Sequence, residues 1–473
     1  MKRWQLEALT SLMPAAFSAL AVFMSLASEA AAFDPPVVEV PVDHKGPLVS
    51  HDQYPLDWVH LTNLPGRTNI QGVQATTDGA YFAGWTVDGS YEAMVGKLDR
   101  SGNVDWMVSY GTEFGDFASN ITKYSDYLYV GGNTEGDFAN AGTYADGFQD
   151  GFVSKFDLSG NLIWTRQFGG SEYEGVTDGA ADLDGNYFVA GSTAPQMLDE
   201  YGRAAMLAKF NPNGELQWRV EKDNIYEDSG LAVTTDHAGN SFLAGRTEDG
   251  TLPFLNKYDS SGQLVWEYVP DPNALTLELG SGIDVVTDAS GNSYLTYSAY
   301  IESSTQIERQ GLFLLKFDAA GNQVWSRSVS SSDPPYSGFD DEDYALAMTM
   351  NLEGNLLIAG QSKGDFSLDH TTAGDVVVLE FTPDGELVVA QQYGDSNYQY
   401  ANEISADPAG GLYVVGTTWG DFEGNQLPSE DAFVMHLTGP TSVPEPSTGL
   451  LCASVMLAVI GVHRMRRLRS ADK

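Results

Sequence analysis

The sequence of 473 residues contains a single cysteine, Cys452. One thiol excludes an intrachain disulfide framework and any multi-cysteine metal site. Basic side chains are scarce: Lys and Arg total 24 against 65 Asp and Glu, a formal net charge of −41. That excludes nucleic acid as a partner, because phosphate binding needs a basic surface, and it works against adsorption to anionic lipid. Histidines are also few: His44, His51, His60, His237, His370, His436 and His463. None stands in a His-x-x-x-His pair, and no catalytic residue is assigned from the sequence. Glycine is plentiful instead, at 50 residues, with 23 Tyr, 22 Phe and 9 Trp. Glycine among many aromatics points to short strands and tight turns rather than helices or disorder.

The two ends have the composition of addresses. Met1-Lys2-Arg3, an apolar stretch from Leu12 to Leu26 and Ala30-Ala31-Ala32 give the three parts of a secretory signal peptide, with cleavage expected after Ala32. At the other end Pro444-Glu445-Pro446 precedes an uncharged stretch from Gly449 to Val462, and Arg464, Arg466, Arg467 and Arg469 follow. The stretch is short for a full span, and the arginines would stay cytoplasmic. This tripartite end resembles the PEP-CTERM sorting signal of Gram-negative bacteria, and a plain tail anchor is the competing reading. The resemblance implies an exosortase-type sorting protease as partner. It also implies transient membrane association through the apolar stretch, then release to the cell surface or extracellular matrix. The expected organisation is a signal peptide at 1–32, a Val- and Pro-rich linker at 33–53, one repeat domain at 54–439 and the sorting signal at 440–473.

The middle is periodic. A turn followed by Trp appears as Asp99-Arg-Ser-Gly102-Asn-Val-Asp-Trp106 and Asp157-Leu-Ser-Gly160-Asn-Leu-Ile-Trp164. It recurs around Gly214 and Trp218, Gly262 and Trp266, and Gly321 and Trp325; a sixth copy, Thr382 to Val389, has lost the Trp. The spacing of about fifty to sixty residues suits a four-stranded blade. An apolar strand ending in Gly precedes each turn, as in Tyr187-Phe-Val-Ala-Gly191 and Leu412-Tyr-Val-Val-Gly416, with a degenerate copy at Tyr294-Leu-Thr-Tyr297. Two further strands, read as alternating, complete each of seven units. The seventh unit stops at Gly439 without a Trp strand, while an unpaired one, Pro55-Leu-Asp-Trp58-Val59, opens the domain. Pairing first strand into last blade removes two open edges. The expected fold is all-β: a seven-bladed β-propeller of four-stranded antiparallel blades, closed by its N-terminal strand.

The units resemble the SBBP family of bacterial β-propeller repeats. The likeness rests on the Gly-x-Thr/Ser…Asp-Phe loops at Gly132–Phe138, Gly360–Phe366 and Gly416–Phe422 and on the Gly-Asn-x-x-Trp turns. It implies a fold and no settled activity. The Trp turn also resembles the docking motif of quinoprotein dehydrogenases, but locking of neighbouring blades explains the Trp, and a processed chain would have no cysteine to form the disulfide on which that cofactor stacks. Asp182-Leu-Asp184-Gly185-Asn186 has the start of a calcium loop without its later acid. No cofactor is expected unless Ca²⁺ binds, with Asp340, Asp341 and Asp343 as weak candidate ligands against the reading of a solvated loop. Trp85 and Trp419 could stack on sugar rings or serve blade packing. The function expected is an exported, non-catalytic surface or matrix propeller that binds an exopolysaccharide or a surface protein. The alternative is an exported polysaccharide hydrolase or lyase with its site at the channel mouth.

Overall fold

The computed structural model describes residues 38–39, 54–61 and 67–439, less loop stretches at 139–148, 170–172, 195–202, 223–227, 248–251, 272–278, 304–305, 331–342, 365, 367–373 and 423–424. After two short N-terminal strands, β1 (Val38–Glu39) and β2 (Leu56–Leu61), the strands fall into fours. Blade 1 is β3 (Thr68–Thr76), β4 (Gly79–Asp88), β5 (Ser90–Asp99) and β6 (Val104–Tyr110). Blade 2 is β7 (Asp116–Tyr124), β8 (Tyr127–Thr134), β9 (Asp150–Asp157) and β10 (Leu162–Phe168). Blade 3 is β11 (Tyr173–Ala181), β12 (Tyr187–Ala194), β13 (Ala204–Phe210) and β14 (Leu216–Lys222). Blade 4 is β15 (Ser229–Thr235), β16 (Ser241–Thr247), β17 (Leu252–Tyr258) and β18 (Leu264–Tyr268). Blade 5 is β19 (Leu279–Thr287), β20 (Ser293–Ser303), β21 (Gln306–Phe317) and β22 (Gln323–Val329). Blade 6 is β23 (Asp343–Met350), β24 (Leu356–Ser362), β25 (Asp375–Phe381) and β26 (Leu387–Tyr393). Blade 7 is β27 (Gln399–Asp407), β28 (Gly411–Gly420) and β29 (Gln426–Thr438), and its fourth strand is β2, antiparallel to β29 with Trp58 opposite His436. The short β1 lies parallel against the outer strand of blade 5, Val38 opposite Arg327.

The inner strands of successive blades touch, and the last touches the first, β27 against β3, so the seven sheets close into a ring. Seven apolar clusters occupy the seven junctions. Between blades 7 and 1, Ile70, Val73, Phe82 and Met94 meet Tyr413, Val415, Ala432 and Val434. Between blades 1 and 2, Tyr81, Ala83 and Val95 meet Ile121, Val130 and Phe156. A blade is therefore covered on both faces. That accounts for a difference from the alternating pattern expected of the third strands: every residue of β13 and of β25 is buried.

Both hairpins of blades 3 to 6, and the second hairpins of blades 1 and 2, use one turn. In Asp157–Asn161 the Asp157 Oδ1 accepts the backbone N–H of Ser159 and of Asn161 at 2.9 Å each, Oδ2 accepts Asn161 Nδ2–H at 2.8 Å, and Gly160 takes φ +83°. The turn also presents a docking surface. Trp106 of blade 1 lies on Gly160 of blade 2, Trp164 on Gly214, Trp218 on Gly262, Trp266 on Gly321 and Trp325 on Gly385. A Cβ at Gly160 would stand 2.7 Å from the Trp106 ring, and one at Gly262 would stand 2.9 Å from Trp218. The indole N–H of Trp218 donates to the Ser260 carbonyl at 3.1 Å. Each blade thus clamps the next at the circumference, as the inner strands do at the axis.

β2 supplies the same clamp where the chain ends meet. Trp58 lies on Gly102 of blade 1, and its N–H donates to the Arg100 carbonyl at 3.1 Å. The opposite junction, blade 6 to blade 7, lacks a Trp because Val389 stands there. Tyr54, buried just ahead of β2, fills that place: its hydroxyl donates to Glu380 Oε2 at 3.1 Å, and its carbonyl accepts from Gln391 and Tyr393. Behind Trp58, His436 Nδ1 is 2.9 Å from Asp57 Oδ2 and Nε2 is 3.4 Å from Asp407 Oδ2. Arg100 of blade 1 donates to both oxygens of Asp407, at 3.3 and 2.8 Å. Burial alone would raise the Asp407 carboxyl; the Arg100 guanidinium outweighs it and holds the group below the ordinary carboxylate range.

Two substitutions test this account by urea denaturation. Trp58→Ala should cost about 3 kcal/mol, the loss of a large packed ring plus the cavity it leaves. Gly262→Ala should cost roughly 2 kcal/mol, through a positive φ and collision with Trp218. Unchanged midpoints for both would contradict docking as the source of blade cohesion.

Candidate functional site

Two regions gather unusual side chains: the axis and one rim. At the axis every inner strand carries a bulge, at Val176/Asp178, Gly230/Ala232, Leu279/Ile283 and Ala401/Glu403 among others. A bulge leaves backbone N–H groups outside the ladder. Carboxylates on alternate blades satisfy some of them. Asp178 Oδ2 of blade 3 accepts Val233 N–H of blade 4 at 2.8 Å, and Asp284 Oδ2 of blade 5 accepts Met348 N–H of blade 6 at 2.6 Å. Glu403 of blade 7 accepts the N–H of its own neighbour Ile404 at 2.9 Å. The remaining blades place Gly72, Asn120, Ala232 and Ala347 at the corresponding positions.

These three acids face the axis, partly exposed yet enclosed by protein; Asp284 feels the Asp178 charge, and Glu403 feels both. Burial pushes the Asp178 carboxyl up to about 6. Burial first and the Asp178 charge second push Asp284 up to about 8. Glu403 is raised well above the ordinary range by burial and then by Asp284 and Asp178. Carboxylic acids that hold protons near neutrality can donate one, but here both oxygens of Asp178 and of Asp284 also accept backbone N–H bonds.

The rims differ. The hairpins that join first to second and third to fourth strands lie on one. The other carries the connections between second and third strands and those between blades, which vary from the single residue Gly89 to residues 135–149. On that loop rim Trp85 and Tyr91 of blade 1 meet Phe117 of blade 2, with ring centroids 5.3 Å (Trp85 to Tyr91), 6.0 Å (Trp85 to Phe117) and 5.0 Å (Tyr91 to Phe117) apart. In blade 7 Trp419 contacts Tyr398 at 5.7 Å and Tyr400 at 6.1 Å, and the Lys363 ammonium lies over Tyr398. Tyr91 is 40% exposed and the other five are partly exposed. Between the groups, at the junction of blades 7 and 1, Asn69 donates to Thr417 Oγ1 at 3.4 Å, Asn402 donates to the Ile70 carbonyl at 2.8 Å and Gln71 donates to Asn69.

Trp85 and Trp419, singled out in the sequence, therefore sit on one rim in neighbouring blades. Their companions Tyr91, Phe117, Tyr398 and Tyr400, and the axial acids, carry no local motif and were missed. Pro444, Glu445, Pro446, Arg464, Arg466 and Arg467 lie outside the described residues, as do Asp340 and Asp341. The backbone of Asp343 begins β23, opposite Ser362. Among the described residues no three His, Asp or Glu side chains are arranged to hold a metal ion. In the calcium-like Asp182 turn, Asp182 Oδ1 accepts two backbone N–H bonds and Oδ2 accepts from Asn186, as in the other hairpins. Gly360-Gln361-Ser362-Lys363-Gly364 has the spacing of a nucleophile elbow. Ser362 ends β24 and is 1% exposed, and its hydroxyl accepts Gly364 N–H at 3.0 Å, so it shapes a loop start.

Fold and site together define a seven-bladed β-propeller with an acidic axis and an aromatic loop rim. A family model described as a beta-propeller repeat, SBBP, matches residues 390–423. An uncharacterized WD repeat-containing protein, L264, of Acanthamoeba polyphaga mimivirus is 20% identical over 373 residues. That alignment takes in 58% of this chain and 26% of the relative, so the chain spans about a quarter of its length. Among solved structures, the periplasmic gluconolactonase PpgL of Pseudomonas aeruginosa aligns with TM-score 0.43 and 14% identity over 79% of this chain and 99% of that one. The polysaccharide lyase Uly1 aligns with TM-score 0.46 and 10% identity over 86% and 96%. Likeness at this level says nothing of what this chain binds.

The axial acids predict a pH dependence. A carboxyl whose folded value is raised contributes stability below its unfolded value, near 4, and loses it as pH rises through the folded value. For Asp178 and Asp284 that window is pH 4 to 8. Asp284→Asn keeps an acceptor for Met348 N–H and removes the charge. Its NH2 cannot accept Val285 N–H, so it should lose roughly 1 kcal/mol near pH 5, and that deficit should reverse towards pH 8, where the parent carboxyl ionises. Parallel urea-midpoint profiles from pH 5 to 8 would show that the acids do not repel.

Proposed function

We propose that the chain is an exported, non-catalytic propeller of the cell surface or extracellular matrix, and that its loop rim holds a glycan. The observation that carries the binding part is the grouping of six partly exposed aromatic rings on the rim where loop length varies. Sugar rings present C–H faces that pack on aromatic faces, with amide side chains alongside to orient hydroxyls. Binding residues fall on loops held by a rigid scaffold, and the hairpin rim offers only the repeated turn. The export part rests on the sequence ends: the basic, apolar and Ala-x-Ala start, and the Pro444-Glu445-Pro446 motif with its arginine cluster, on which a sorting protease would act.

The alternative, an exported polysaccharide hydrolase or lyase with its site at the channel mouth, would draw its acid from Asp178 or Asp284, whose raised values suit proton donation. Their backbone bonds favour the structural role. One experiment separates the readings. A glycan array probed with the full-length chain should give saturable binding, and bound chains recovered after a day should keep their length. Shortened chains would favour the enzyme, and an array without binding would remove the glycan. In a host with the sorting protease, the surface form should lack Cys452 by intact mass; retention in every molecule would leave a tail anchor.

A further inference from the structure

We propose that the aromatic sector across blades 7, 1 and 2 takes an uncharged polysaccharide, free of uronate and sulfate; this rests on the glycan reading above. The sector is one surface. Trp85, Tyr91 and Phe117 bridge blades 1 and 2, Tyr398, Tyr400 and Trp419 stand on blade 7, and the Asn69, Thr417 and Asn402 side chains fill the junction between them. Two aromatic groups on either side of a junction where the Gln71 and Asn402 amides are partly exposed suit an extended chain better than a single sugar, because each group can seat its own ring.

The charge around the sector decides the class. Arg67 is ion-paired with Glu430, and the Lys363 ammonium over Tyr398 is one cation among the surrounding carboxylates. Asp395 accepts from Asn397 and Gln399, and Asp421 accepts from Asn425. Glu92, Glu113 and Glu135 border the Phe117 side, the last 3.0 Å from where a Cβ on Gly115 would stand, itself 3.0 Å from the Phe117 ring. With a net charge of −41 behind them, these carboxylates repel a polyanion over distances of the Debye length, about 8–10 Å. An uncharged chain meets no such barrier, and stacking with amide hydrogen bonds is little affected by salt.

The test is native affinity electrophoresis of the full-length chain through gels containing a neutral mixed-linkage β-glucan, a neutral galactomannan or alginate. Retardation by a neutral polymer, unchanged in 0.5 M NaCl, and none by alginate is expected. Tyr91→Ala and Trp419→Ala should each weaken retardation about tenfold. Leu352→Ala, an 81% exposed residue on the hairpin rim, should not, and melting curves will show that all three variants fold. Retardation by alginate alone, or lost in salt, overturns the uncharged class while leaving glycan binding in place. No retardation by any polymer overturns both readings. Retardation untouched by Tyr91→Ala and Trp419→Ala removes the ligand from this sector.

Discussion

The contact on which the rest depends is an indole ring laid on a glycine of the next blade. A sheet of four short strands cannot bury its two apolar faces alone. It needs a neighbour on each side, held at a fixed wedge angle, and seven such wedges must add to a full turn. The inner strands fix one end of each wedge through bulges and shared hydrogen bonds. The Trp fixes the other end, and the turn beneath it must be bare of side chain for the ring to approach. Turn glycine and tryptophan are thus parts of one device that sit on different blades.

Departures from the repeat make sense in those terms. The residue opposite the Trp on the third strand is Lys in blades 1 to 5, as in Lys155 opposite Trp164. In blades 2, 4 and 5 its ammonium reaches across to the next turn, as Lys155 does to the Pro212 carbonyl and Lys316 to that of Pro383, whereas Lys97 and Lys209 pair with Asp78 and Asp182 of their own blades. In blade 6 both partners change together: Glu380 faces Val389, and Tyr54 arrives with a hydroxyl that the carboxylate accepts. In blade 7 His436 faces Trp58, flanked by Asp57 and Asp407. The two irregular blades are the two whose outer positions Tyr54 and β2 complete.

The fold could be read because its device is written locally and repeated: a turn of fixed spelling, a Trp four residues after its glycine, and one orphan strand at the start to match one missing at the end. The axial acids could not be read that way. Each lies on a different blade, the bulge shifts the two-residue parity that would assign a face, and 65 acids offer no contrast. Aligning the inner strands unit by unit supplies the signal, since Asp178 and Glu403 then share a column with Gly72, Ala232 and Ala347. The aromatic rim was half visible. Trp85 and Trp419 stood out by type, whereas Tyr91 and Phe117 become neighbours only when two blades are packed.

The placement of β2 imposes an order of events. An early strand, β2, pairs with the last described strand, β29, across more than 360 residues of intervening chain. Closing a loop that long is entropically unfavourable, though the cost grows only with the logarithm of length. Six blades can fold as they emerge, each on its predecessor, but blade 7 cannot complete its sheet until the early strand returns. Until then the growing arc has two uncovered apolar faces, one on blade 1 and one on the newest blade, and β29 has an unpaired edge that could take a strand of another chain. Synthesis therefore ends in a single late, long-range step, and the interval before it is when a partly made molecule is most exposed to swapping its first strand with a neighbour.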